Sequence, residues 1–66
     1  MITHEELIKR GFKPQKGRSG SYRFKNTPFG GTFLPSFSNF YFWNAYECIQ
    51  SLNDLDLIIK MIEYVV

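Results

Sequence analysis

Ser38-Asn39-Phe40-Tyr41-Phe42-Trp43 is the stretch on which the fold turns: a short polar pair followed by four consecutive aromatic residues. Aromatic side chains fit the pleated surface of a sheet better than the crowded turns of a helix. The run therefore predicts a strand entered through a turn at Ser38-Asn39. Successive side chains of a strand alternate in direction, so Phe40 and Phe42 share one face and Tyr41 and Trp43 the other. A chain with helices packed on one of those faces leaves the second aromatic pair uncovered.

Upstream of this strand, Thr32 to Phe37 reads as another, with Pro35 pointing to a sheet edge or a bulge because it cannot donate to a ladder. Asn26-Thr27-Pro28-Phe29-Gly30-Gly31 reads as a turn. Ser21 to Lys25 alternates, with Tyr22 and Phe24 on one face and Ser21, Arg23 and Lys25 on the other. Before it, Lys13-Pro14-Gln15-Lys16-Gly17-Arg18-Ser19-Gly20 combines glycine, proline and cations with no apolar side chain to bury, the mark of a mobile basic loop or a frayed hairpin. Downstream, Tyr46 to Ile49 is either a fourth strand or a continuation of the third.

Helices flank the strands. Thr3-His4-Glu5-Glu6 is a capping box: the Thr3 hydroxyl accepts from the Glu6 amide and the Glu6 carboxylate turns back to the Thr3 amide. With Ile2 and Leu7 as a hydrophobic staple, Lys9 and Arg10 in the last turn and Gly11 just past it, the spacing predicts a helix over about residues 4 to 10. Ser51-Leu52-Asn53-Asp54 caps a second helix, with Asp54 and Asp56 near its positive end. Leu52, Leu55, Ile58, Ile59, Ile62 and Val66 form its core-facing stripe, while Leu57, Met61 and Tyr64 fall on the opposite side. The expected architecture is one small α+β domain over residues 1–66. It has a short N-terminal helix, a three- or four-stranded antiparallel sheet and a C-terminal helix, with both helices on one sheet face.

Sixty-six residues hold one hydrophobic core. Cys48 is the only cysteine and His4 the only histidine. An intramolecular disulfide is therefore excluded, these two residues cannot make a four-ligand zinc site, and no metal or cofactor is expected. No apolar run approaches the roughly 20 residues that span a bilayer, and the N-terminus is not signal-like, so a cytoplasmic, reducing setting is expected. Lys9, Arg10, Lys13, Lys16, Arg18, Arg23 and Lys25 lie in one acid-free stretch, whereas Glu47, Asp54, Asp56 and Glu63 face only Lys60 later on. The chain is electrically lopsided.

Three residue groups are candidates for chemistry. His4 reads as an exposed surface histidine and Cys48 as a small buried hydrophobe. Asp54 and Asp56 read as helix charges, and no enzyme activity is expected. Tyr41 and Trp43 are the expected protein-binding residues, because Trp and Tyr offer large, rigid area with a polar tip. Leu57, Met61 and Tyr64 offer a second surface, suited to a homodimer. Lys13, Lys16, Arg18, Tyr22, Arg23 and Lys25 form the alternative site, a basic loop over residues 13–25 that neutralises RNA phosphates and stacks a base on Tyr22.

Leu7-Ile8-Lys9-Arg10-Gly11-Phe12-Lys13, the aromatic strand and Ser51-Leu52-Asn53-Asp54-Leu55 together resemble the short proteins of phages and mobile elements, especially of Bacteroidetes type. Inhibitors of bacterial defence such as anti-CRISPR proteins are among them. The resemblance implies a non-catalytic inhibitor whose partner is a host protein, a nucleoprotein nuclease being one such target. Leu7 to Phe12, Lys16 to Phe24 and Thr32-Phe33-Leu34-Pro35 are also similar to HicA-type toxins, which have a double-stranded-RNA-binding-like fold and cleave mRNA. In that family a catalytic histidine follows a Gly-Ser pair. Here Tyr22 follows Gly20-Ser21, so the nuclease activity does not carry over.

Overall fold

The computed structural model describes residues 1–44 and 48–65. In chain order its elements are α1 (His4–Lys9), β1 (Phe12–Pro14), β2 (Ser21–Phe24), β3 (Gly30–Leu34), β4 (Asn39–Phe42), β5 (Cys48–Ile49) and α2 (Leu52–Val65). Among the described residues the strands make one five-stranded antiparallel sheet, ordered β1-β2-β3-β4-β5.

The sheet has one strand more than the sequence reading allows, and the addition is β1. Phe12-Lys13-Pro14 is too short to show a period, and its proline argues against a strand. At a sheet edge, however, a missing N–H costs no ladder bond. The pairing Phe12↔Phe24, Lys13↔Arg23, Pro14↔Tyr22 makes residues 12–24 a hairpin rather than a loose basic loop. Its turn is closed by the Gln15 amide donating to the Ser21 carbonyl at 2.9 Å. β3 also differs from expectation: it begins at Gly30 and ends at Leu34, and the chain turns through Pro35 to Ser38. Ser38 has φ of 55° there, and its hydroxyl donates to the Ile2 carbonyl at 2.5 Å. Cys48-Ile49 is a separate strand beside β4, with Phe40↔Ile49 and Tyr41↔Cys48 in register. Tyr46 lies outside the described residues.

Register decides which residues are inside. Phe12, Tyr22, Phe24, Phe33, Phe40, Phe42 and Ile49 share one sheet face and are buried together with Ile2 and Leu7 from the first helical segment and Leu55, Ile59 and Ile62 from α2. Both helices thus add apolar side chains to the same face. The rings meet edge-on or tilted, Phe12 at 5.1 Å from both Phe24 and Phe40, and Phe40 at 5.0 Å from Phe42. Burying each such side chain contributes about 2–3 kcal/mol, which is how so short a chain offsets its conformational entropy.

The helix ends are held by the residues that predict them. The Glu6 amide donates to Thr3 Oγ1 at 3.2 Å, and Gly11, at φ 102°, takes the chain out of α1. The Glu6 carboxylate pairs with Arg10 at 3.2 Å and Lys9 at 3.5 Å, in place of the return bond to Thr3 that a full capping box would make. Arg10 also donates from Nε to Asp56 Oδ1 at 2.7 Å, tying the end of α1 to α2. That bond raises the guanidinium pKa and holds the Asp56 carboxyl below the usual carboxylate range. In α2 the Asp54 amide donates to Ser51 Oγ at 3.0 Å. Leu52 and Ile58 flank the buried stripe; Val66 lies outside the described residues.

Candidate functional site

The buried cluster, which takes side chains from both helical segments, lies on one sheet face; among the described residues the other carries a separate row. By register it carries Lys13 on β1, Arg23 on β2, Gly30 and Thr32 on β3, Tyr41 on β4 and Cys48 on β5. Trp43 continues that row: its amide donates to the Gly30 carbonyl at 3.0 Å, extending the ladder one residue beyond β4.

The glycine pair explains how this face is built. A Cβ at Gly30 would lie 2.8 Å from Cη2 and Cζ3 of Trp43, and one at Gly31 would lie 2.6 Å from the Phe40 ring. Each glycine therefore lets a neighbouring strand's backbone and an aromatic ring come close, Trp43 on the open face and Phe40 on the core face. Laid across β3, Trp43 reaches β2, where the Arg23 guanidinium sits 5.7 Å from its ring centroid as a cation–π partner. Arg23 is fixed in its own plane as well: Nη1 donates to the Thr27 carbonyl at 3.2 Å. With the Gln15 amide oxygen turned toward it, Gln15 accepts from Nε at 3.1 Å and Nη2 at 3.0 Å. Trp43 remains 41% exposed. Tyr41 is half-buried, and the Cys48 side chain opposite it pushes the phenol pKa upward, chiefly by hydrogen bonding.

The residues read as nucleic-acid contacts divide. Lys13 and Arg23 are cross-strand neighbours, and Lys16 and Arg18 are exposed in the turn between their strands. Tyr22 is a correction: it is 7% exposed on the core face, and its hydroxyl shares a 2.6 Å hydrogen bond with His4 Nδ1. Burial raises its pKa, and its ring offers no surface to a base. Lys25 is exposed but pairs with Glu63 of α2 at 3.4 Å and lies over the Phe24 ring at 5.1 Å. A second correction is Cys48, which is exposed rather than buried, because β5 points it to the open face.

Leu57, Met61 and Tyr64 are exposed on the side of α2 away from its buried stripe. Met61 also lines an open apolar groove of about 310 Å³ with Phe29, Phe42, Ile58, Ile62 and Val65. Among the described residues no three His, Cys, Asp or Glu side chains come together as a metal site, and no helix is long and apolar enough to cross a membrane. The contact of Arg23 with Trp43 and the locking role of Gln15 were not legible from the sequence. Alternation placed Tyr41 with Trp43, but only the strand order β2-β3-β4 brings Arg23 beside them.

No family model matches the chain, and no curated protein or solved structure matches it.

Proposed function

We propose that the protein is a non-catalytic interaction module that docks a partner protein on its open sheet face through Trp43, Tyr41 and Arg23. The observation that carries this reading is the Arg23–Trp43 cation–π contact beside Gly30. Trp, Tyr and Arg dominate the energetics of protein interfaces. Side chains already locked in place lose less entropy on binding. The resemblance to small phage and mobile-element proteins supports a cytoplasmic inhibitor of a bacterial defence system, with a host protein such as a CRISPR nuclease as partner. Leu57, Met61 and Tyr64 supply a separate surface for a homodimer.

The test is affinity purification from bacterial lysate with the wild type and with Tyr41→Ser/Trp43→Ser. A stoichiometric protein band that disappears with the double variant, whose circular dichroism is unchanged, is the expected result. A band retained by the folded variant overturns the reading. Lys13, Lys16 and Arg18, all exposed on the β1–β2 hairpin, favour one alternative, an RNA-binding domain using the basic hairpin. Nucleic acid would then co-purify, and its affinity would fall with salt by a log–log slope of about 0.7 per phosphate contact.

A further inference from the structure

We infer that the segment docking on the open face is acidic: a stretch of partner polypeptide whose apolar side chain rests on Trp43 while flanking Asp or Glu carboxylates meet Lys13, Lys16 and Arg18. This rests on the reading of the face as a protein-docking surface. The fold sorts the seven cations between Lys9 and Lys25 into two groups. Lys9 and Arg10 pair with Glu6, Arg10 also with Asp56, and Lys25 with Glu63. Among the described residues Lys13, Lys16, Arg18 and Arg23 have no carboxylate within ion-pair distance, and all four belong to the β1–β2 hairpin.

Within that group Lys13 stands directly opposite Arg23. Like charges in register destabilise a sheet, so the free protein carries a local repulsion that an acidic partner turns into attraction. The same geometry favours a peptide over RNA. Arg23 commits three of its five donors to Thr27 and Gln15, which weakens any clasp on a phosphate. Tyr22 is inside the core, so the basic hairpin itself offers no ring on which a base could stack.

Trp43 is the only tryptophan in the chain, so its emission reports from the site itself. The experiment titrates the protein at low salt with three synthetic peptides of about a dozen residues, each with a central Leu-Tyr-Leu flanked by Glu, Gln or Lys, and with an oligouridine of equal length. The Glu peptide is expected to shift Trp43 emission and to bind about tenfold more tightly than the Gln peptide, with no binding of the Lys peptide. Lys13→Glu/Lys16→Glu/Arg18→Glu, with unchanged circular dichroism, should erase that preference. Equal binding of the Glu and Gln peptides overturns the acidic preference and leaves the docking face standing. Oligouridine binding more tightly than the Glu peptide overturns both, and so does a face silent to every peptide by emission and by amide shifts.

Discussion

Gly30→Ala strikes the one position on which the Trp43 platform depends. An ideal Cβ there falls 2.8 Å from two atoms of the indole. Carbon atoms in contact sit about 3.5–4.0 Å apart, so the ring must lift by on the order of 1 Å. Strand β2 must yield too, because the atom closest to that Cβ is the Tyr22 carbonyl oxygen, which is backbone and gives less readily than the ring. Overpacking of this kind costs about 1–3 kcal/mol, in a domain whose size supports a total of about 3–10 kcal/mol. At roughly 4–8 °C per kcal/mol the expected fall in Tm is about 5–20 °C. Thermal melts followed by circular dichroism measure it, while red-shifted emission and stronger acrylamide quenching report the lifted ring. Trp43→Ala, alone and combined with Gly30→Ala, separates the ring from the backbone. If the ring is the obstacle, the glycine change should be milder without the indole by about 0.5–1.5 kcal/mol. An unchanged Tm and spectrum, or strict additivity in that cycle, would refute the reasoning.

Phe40→Ala removes a fully buried ring at the centre of the aromatic cluster; the loss of about 3–5 kcal/mol should leave little native signal in near-UV circular dichroism, and a cooperative melt near the wild-type Tm would contradict it. Asp56→Asn tests the tie between α1 and α2. The Asp56 carboxyl is depressed by its hydrogen bond from Arg10, so its stabilisation is present above the unfolded value near pH ~3.9 and is lost as pH falls through the lower folded value. Urea midpoints of the variant should therefore change less between pH ~5 and ~2 than those of the wild type, and identical pH profiles would rule out the contribution. Lys13→Glu places an acid opposite Arg23; stability should rise by roughly 0.2–1 kcal/mol while affinity for the acidic peptide drops, and a fall in both would count against the repulsion described here.

The elements with complete local signals are the ones the chain announces. Thr3 and Gly11 bracket α1, Ser51 and the apolar stripe set α2, and the aromatic run marks β4. β1 carries no such signal, because a three-residue strand with a terminal proline exists only through its pairing with β2. Gly30 and Gly31 look like a turn in sequence and are strand in the fold. Their lack of side chains is compensated by rings contributed from β4 and the residue after it, a tertiary effect invisible to local propensity. The site shows the same division. Alternation separates Tyr41 and Trp43 from Phe40 and Phe42, and the cations stand out by composition. Which face of β2 turns inward is set by the helices, so Tyr22 looked available for stacking when its hydroxyl is in fact engaged with His4.

The strictly sequential order of the strands has a consequence for how the molecule is made. Since each strand bonds to its neighbour in the chain, the sheet grows by adding hairpins, and no pairing within it waits for a distant partner to be synthesised. α2 follows the whole sheet, so the core face closes last. During the interval Phe24, Phe33, Phe40 and Phe42 line an uncovered greasy surface. A chain truncated before Leu52 should expose that surface and bind a hydrophobic dye, and restoring the α2 segment should end that binding.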